Sequence, residues 1–151
     1  MSIPSTFKAV AAGSTILALA LTGCSTTKGT PGKARAEAAE RYATNRAELG
    51  VQQARQDFEV GNLKNALYNI EGAIELNPDD PAYYVLKGRI LIEMNHLEPA
   101  MQAFRHATTI DPSLGDAHYY MGLVYQRWSD LESAGDAYLE ALETDRSDPD
   151  Y

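Results

Sequence analysis

The sequence predicts an all-α solenoid of about three helix-turn-helix units, on three observations. The chain repeats itself at a 34-residue offset: Gly88 pairs with Gly122, Ala100 with Ala134, Phe104 with Tyr138 and Ala107 with Ala141, and one period earlier stand Ala54, Ala66, Ile70 and Ala73. Pro78 and Pro112 punctuate the chain at the same spacing. Residues 34–60 are rich in Ala, Glu, Arg and Gln and contain no Pro, the composition of strong helix formers. A period of this length means stacked supersecondary units, none of which buries its apolar face alone.

Composition sets the outer bounds. A chain of 151 residues allows one domain, and 44% apolar residues suffice to bury a core. Thirteen basic residues stand against 21 acidic ones, a net charge of −8. Affinity for a phosphate backbone comes mainly from Lys and Arg displacing counterions, so nucleic acid is not an expected partner. The single cysteine excludes an internal disulfide framework and a multi-Cys zinc site, and three scattered histidines leave little for a metal centre. No cofactor and no metal are expected.

The first element is a targeting segment. Residues 1–8 carry one cation, Lys8, and residues 9–21 (AVAAGSTILALAL) run without a charge. That run is too short to cross a bilayer as a helix, which needs roughly 20 apolar residues, and it suits the apolar region of a signal peptide. It ends in Leu21-Thr22-Gly23-Cys24. These four residues resemble the lipobox of bacterial lipoprotein signal peptides. The resemblance implies cleavage after residue 23, a diacylglyceryl group on the Cys24 sulfur, and Cys24 as the first mature residue. Two or more acyl chains hold a protein to a membrane stably, so the implied anchor is durable. Ser25 follows, and resemblance to Gram-negative lipoproteins implies delivery to the outer membrane, on its periplasmic face.

A polar tether over 24–33 contains Gly29, Pro31 and Gly32 and no apolar residue after the cysteine. Residues 34–46 are expected as an N-terminal helix. The stretch 34–60 reads either as one helix of about 40 Å or as two broken near Thr44-Asn45. Three units follow at 47–80, 81–114 and 115–148, with 149–151 opening an incomplete fourth. In each, a glycine or alanine (Ala54, Gly88, Gly122) lets the first helix approach its neighbour. A large side chain (Ile70, Phe104, Tyr138) fills the space between the pair. The turns fall at Gly61-Asn62, Asn95-His96 and Ser129-Asp130, where Gly and Asn suit a left-handed C-cap and Asn62 and Asp130 can cap the next helix. Pro78 and Pro112 stop the second helix.

Small, aromatic, small and proline positions in a 34-residue period resemble the tetratricopeptide repeat. The phrases AIELNPDDP and ATTIDPSLGD are similar to that family's junctions. The first unit departs from the pattern. Gly50 stands where the others carry Tyr84 and His118, and Leu49-Gly50 is expected to sit about one helical turn further from Gly61 than usual. Asp148-Pro149-Asp150-Tyr151 aligns with Asp80-Pro81-Ala82-Tyr83, so the third unit is left without a successor, with Ala137, Tyr138 and Leu142 partly uncovered. A truncated gene or fragment, a partner chain, or self-association through this end would each account for it.

No Gly-rich phosphate loop, HExxH, GxSxG or CxxC occurs. His96, His106 and His118 fall at unrelated repeat positions and read as structural or surface residues. Glu132-Ser133 resembles the Glu-Ser of lytic transglycosylases but sits in the first turn of a helix, where an acid favours the dipole anyway. No enzyme is expected. The repeat resemblance implies a concave groove lined by the first helix of each unit. It places there Val85, Leu86, Arg89, Ile92 and Glu93, then Tyr119, Tyr120, Leu123, Gln126 and Arg127, and from the first unit Val51, Gln52, Arg55, Phe58 and Glu59. The residues taken as the partner-binding groove are Val85, Leu86, Arg89, Ile92, Tyr119, Tyr120, Leu123, Arg127 and Arg55. Arg55 and Arg89 share one face and either clamp a partner's carboxylates or pair with Glu59 and Glu93 four residues on. The Lys and Asn pattern of chaperone-type carboxylate clamps is absent, with Val51 where its Lys would stand.

Anchor and repeats together resemble the pilotin-like lipoproteins of type IV pilus assembly and the lipoprotein adaptors of peptidoglycan hydrolases. That resemblance implies a scaffold in the cell envelope that binds other envelope proteins or peptides. An accessory subunit whose activity lies in a missing C-terminal part, and a self-associating structural lipoprotein, are the alternatives.

Overall fold

The computed structural model describes residues 31–146, and these form six α-helices and no strand. The signal segment 1–23, Cys24 with most of its tether, and the last residues 147–151 lie outside the described residues. The helices are α1 (Pro31–Glu59), α2 (Leu63–Leu76), α3 (Pro81–Glu93), α4 (Leu97–Ile110), α5 (Gly115–Arg127) and α6 (Leu131–Arg146).

α1 is a single helix of 29 residues, about 43 Å long. Thr44 does not break it, because its hydroxyl donates to the Glu40 carbonyl four residues back and so stays inside the helical pattern. The helix starts at Pro31, three residues before the expected Ala34, with proline in a first turn where its missing N–H costs nothing. The expected extra turn between Gly50 and Gly61 is not there. α1, α3 and α5 end at Glu59, Glu93 and Arg127, one period apart, so the first unit keeps register and its added length lies upstream. At Gly50 a Cβ would stand 3.3 Å from both the Ala73 Cβ and the Asn69 carbonyl oxygen. α2 therefore passes close to α1 where the later units hold Tyr84 and His118.

The three turns inside the helix pairs share one geometry. Gly61, Asn95 and Ser129 have φ of 77°, 59° and 63°. In each turn that residue's N–H donates three residues back and the next N–H donates five back, the Schellman pattern. Ser129 adopts a left-handed conformation without the usual glycine or asparagine, held by its bond to the Gln126 carbonyl and the Asp130 bond to Tyr125. The expected caps divide. Asp130 accepts from the Ser133 N–H at 3.2 Å and the Ser133 hydroxyl at 2.7 Å. Asn62 makes no capping bond; its amide donates instead to Asp57, which also accepts from Asn69. Between pairs, Asp80 caps α3 through the Ala82 N–H. Asp111 takes two bonds from Ser113, which hold its carboxyl below the ordinary value.

Helices pack in sequence pairs, α1 with α2, α3 with α4 and α5 with α6, and each pair rests on the next through α2–α3 and α4–α5. α3 touches both α1 and α5, whereas α2, α4 and α6 do not touch one another. The stack therefore closes up along the α1–α3–α5 row and opens along the other, which makes that row the inner, concave side. Two core clusters fill it. One joins Ala47, Val51, Ala54, Ile70 and Ala73 to Tyr83, Leu86 and Ile90; the other joins Val85, Leu91, Ile92 and Phe104 to Ala117 and Val124. Gly88 is needed because a Cβ there would lie within 3 Å of the buried Phe104 ring. Gly122 stands in the same relation to Tyr138.

Candidate functional site

The inner row carries a cleft of about 210 Å³ lined by Phe58, Arg89, Ile92, Glu93, Tyr120, Leu123 and Arg127. Three helices supply these residues, so no single unit makes the cleft. At its centre the Arg89 guanidinium carbon lies 5.4 Å from the Phe58 ring centre and 5.3 Å from that of Tyr120. A cation held between two aromatic faces gains about 0.5–2 kcal/mol and loses much of its freedom. Among the described residues the guanidinium makes no hydrogen bond or ion pair, so its N–H donors remain for another group. Tyr120 is itself fixed, stacked at 5.5 Å and 12° on Phe104 and edge-on to Tyr119.

Neither local ion pair forms at these arginines. Arg55–Glu59 and Arg89–Glu93 are not among the contacts within 4 Å; the ion pairs seen among the described residues are Lys33–Glu37 and Lys87–Glu71. Arg89 is drawn instead to the two rings. Arg127 is exposed and donates to the Ile92 carbonyl at 3.4 Å, closing one wall of the cleft. Arg55 lies apart, in a smaller neighbouring hollow with Val85, Leu86, Arg89 and Asp116.

The nine residues expected in the groove divide by burial. Arg55, Tyr119 and Arg127 are exposed, and Arg89, Tyr120 and Leu123 are half-buried and accessible. Val85, Leu86 and Ile92 are largely buried yet still line the row, Ile92 in the cleft and Val85 and Leu86 in the hollow with Arg55. The reason is packing between units: Leu86 sits in the core shared with α1 and α2, and Val85 and Ile92 in the core shared with α5. Val51 is buried likewise. The element missing from the sequence-based reading is the sandwich itself. Phe58, Arg89 and Tyr120 are each 31 residues apart, one period less about one helical turn. Neighbouring first helices meet along that diagonal, so a comparison at 31 would have found what one at 34 does not.

The histidines take structural places. His106 lies against Tyr84 at 4.3 Å between ring centres, His118 donates to the Pro112 carbonyl at 3.1 Å, and His96 is exposed at a turn. Ser133 is occupied by Asp130, and no metal-binding group of three His, Cys, Asp or Glu occurs among the described residues. No described helix is long and apolar enough to cross a membrane.

Comparison with known proteins places this geometry. The tetratricopeptide-repeat family model matches residues 81–114. The fold is the all-α solenoid of tetratricopeptide repeats. Among solved structures, the second tetratricopeptide domain of Spaghetti (RPAP3), bound to an HSP90 peptide, superposes with a TM-score of 0.69 at 15% identity, over 75% of this chain and 97% of that one. The Arabidopsis OM64 tetratricopeptide domain gives 0.67 at 18%, over 71% and 88%. The Yersinia enterocolitica type III secretion translocator chaperone SycD gives 0.67 at 14%, over 70% and 80%. Among curated relatives, a DnaJ homolog subfamily C member 3 homolog of Dictyostelium discoideum is 28% identical over 109 residues, 70% of this chain and 22% of its own length. The tetratricopeptide repeat-containing thioredoxin TTL4 of Arabidopsis thaliana is 32% identical over 77 residues, 51% of this chain and 11% of its own. The chain thus spans about a fifth of the first relative and a tenth of the second. Tetratricopeptide domains are in general non-catalytic scaffolds that bind peptides and proteins.

Among the described residues, one face of the α5–α6 pair is uncovered. The α5–α6 face carries a hollow of about 560 Å³ lined by Gly115, Asp116, Tyr119, Leu123, Gln126, Tyr138, Ala141 and Leu142. One period earlier, Val85, Phe104 and Ala107 are buried in the core that α5 completes. In the last repeat Tyr119 is 48% exposed and Leu142 57%, while Ala137, expected to be uncovered, is buried. The Tyr138 phenol donates to Gln126, and burial, with Tyr119 adding, pushes its pKa up.

Proposed function

We propose that this chain is a lipid-anchored adaptor of the cell envelope. Its concave cleft holds an extended segment of a partner protein and presents Arg89 to a partner carboxylate. One observation carries the binding part of this reading: Arg89 lies against Phe58 and Tyr120, in an open cleft, with no carboxylate among the described residues within ion-pair distance. A half-buried guanidinium whose N–H donors are free suits bidentate recognition of a carboxylate. Aromatic and arginine side chains are also those enriched where binding energy concentrates. Spaghetti's tetratricopeptide domain holding an HSP90 peptide supports the mode of binding, not the partner.

The anchor and the place rest on the sequence. The Leu21-Thr22-Gly23-Cys24 ending of the apolar run supports lipidation at Cys24, and Ser25 supports delivery to the periplasmic face of an outer membrane. Resemblance to pilotin-like and hydrolase-adaptor lipoproteins supports partners in pilus, secretion or envelope assembly.

The test is crosslinking in intact cells expressing the full chain, with Cys24→Ser and Arg89→Met alongside. Methionine keeps an unbranched apolar stem between the rings and removes the charge. The expected result is an envelope partner captured by the wild type and lost from Arg89→Met, with Cys24→Ser leaving the membrane fraction. Capture unaffected by Arg89→Met would contradict the groove, and Cys24→Ser remaining membrane-bound would contradict the anchor.

A further inference from the structure

We propose that copies of this chain dock head to tail, with the upstream part of α1 in one copy seated on the open α5–α6 face of the next. The fold itself shows what kind of object fits that seat. The equivalent face of α3–α4 is covered by a helix, α5, which buries Val85, Phe104 and Ala107. The α5–α6 face offers their counterparts, Tyr119, Tyr138 and Ala141, with Leu142 beside them, and nothing covers them among the described residues.

α1 has a second apolar side to offer. Its buried side, through Ala47, Val51 and Ala54, belongs to the core with α2. Turned away from that side, Ala34, Ala38, Tyr42 and Leu49 fall within about 80° of helix circumference at 100° per residue, with Tyr42 at the edge of a hollow that α1 shares with α2. All four are exposed, Tyr42 and Leu49 each at 65%. Leu49 occupies the repeat position of Tyr83 and Ala117, both of which are buried in cores shared with a preceding pair. α1 therefore carries the residue that meets a preceding pair, with no preceding pair in its own described chain.

Charge selects head to tail over tail to tail. α6 holds five acidic residues and one basic, whereas residues 33–46 of α1 hold four basic and two acidic. Two α5–α6 faces would bring like charges together; α1 against α6 brings opposite ones. The contact is heterologous, joining two different surfaces, so it propagates into a chain of copies unless the rotation closes a ring. It does not rest on the groove reading, since Arg89 is no part of either surface.

Sedimentation velocity of the full chain in mild detergent tests it, with Tyr42→Glu, Leu142→Glu and an equimolar mixture of the two. The wild type is expected to grow in size with concentration, and less so at high salt. Each variant alone is expected to stay monomeric. Their mixture is expected to give a single defined dimer, because one copy retains an intact α1 and the other an intact end face. Both positions are exposed, so folding is expected to persist; should a charge unfold either, Tyr42→Ser and Leu142→Ser carry the same comparison. A wild type that stays monomeric, a size that depends on only one of the two positions, or a mixture that stays monomeric would each overturn the proposal.

Discussion

The pairs α3–α4 and α5–α6 are built on one pattern and finish in different surroundings. In each, a glycine on the first helix receives a ring from the second: Gly88 receives Phe104, and Gly122 receives Tyr138. Phe104 is closed over by α5 and by the Tyr120 ring stacked on it. Tyr138 has Tyr119 at 5.7 Å and Gln126 at its hydroxyl, and remains open beyond them. The same contact is thus core in one pair and rim in the other. A repeat position fixes geometry; what it is worth depends on whether another helix follows.

The largest expected difference lies in the rings. Phe104→Ala should destabilise by about 3–5 kcal/mol, since a cavity opens where the surroundings cannot collapse. Tyr138→Ala should cost well under half as much, because water already reaches that site. Equal losses in urea unfolding would break the comparison. Next come the glycines. At Gly88 a Cβ meets a ring with no room to turn, so Gly88→Ala should cost about 1–3 kcal/mol. At Gly122 the Tyr138 ring can swing outwards, and its helix-propensity gain of about 1 kcal/mol should offset much of the clash.

The caps sharpen the comparison on a smaller scale. Asp130→Ala should lose about 1 kcal/mol with its two bonds to Ser133, whereas Asn62→Ala at the matching turn should lose much less, having no capping bond to lose. The smallest effect is on the alkaline side. Burial raises the Tyr138 pKa above its ordinary 10.0. The unfolded chain therefore ionises first as pH climbs, and the stabilisation present below that value is lost through the folded pKa. Thermal melts above pH 10 should fall more steeply for the wild type than for Tyr138→Phe.

Much of this fold was legible because stacking repeats one geometry. The positions of Gly88, Phe104 and Ala107 and all three left-handed turns follow from a single offset. The first pair was legible only in part. Its departure at Gly50 suggested a displaced register, yet α1 absorbs the difference by extending upstream and letting α2 approach. The groove was half legible for a related reason. Val85, Leu86 and Ile92 line the groove but are largely buried in the core between pairs, which no single repeat reveals. The Arg89 sandwich is set by contacts between neighbouring units, along a diagonal of 31 residues, so the 34-residue comparison passes over it.

The central claim is that Arg89 is an organised binding group rather than a packing residue. The most direct measurement is quantitative capture of the crosslinked partner by wild type, Arg89→Met and, as a control on an exposed part of α2, Lys64→Met. A charge-assisted hydrogen bond contributes about 1.5–3 kcal/mol, so removing it should cut capture by about tenfold or more while melting temperature changes little. Lys64→Met should leave both unchanged. Undiminished capture by a folded Arg89→Met would contradict the claim.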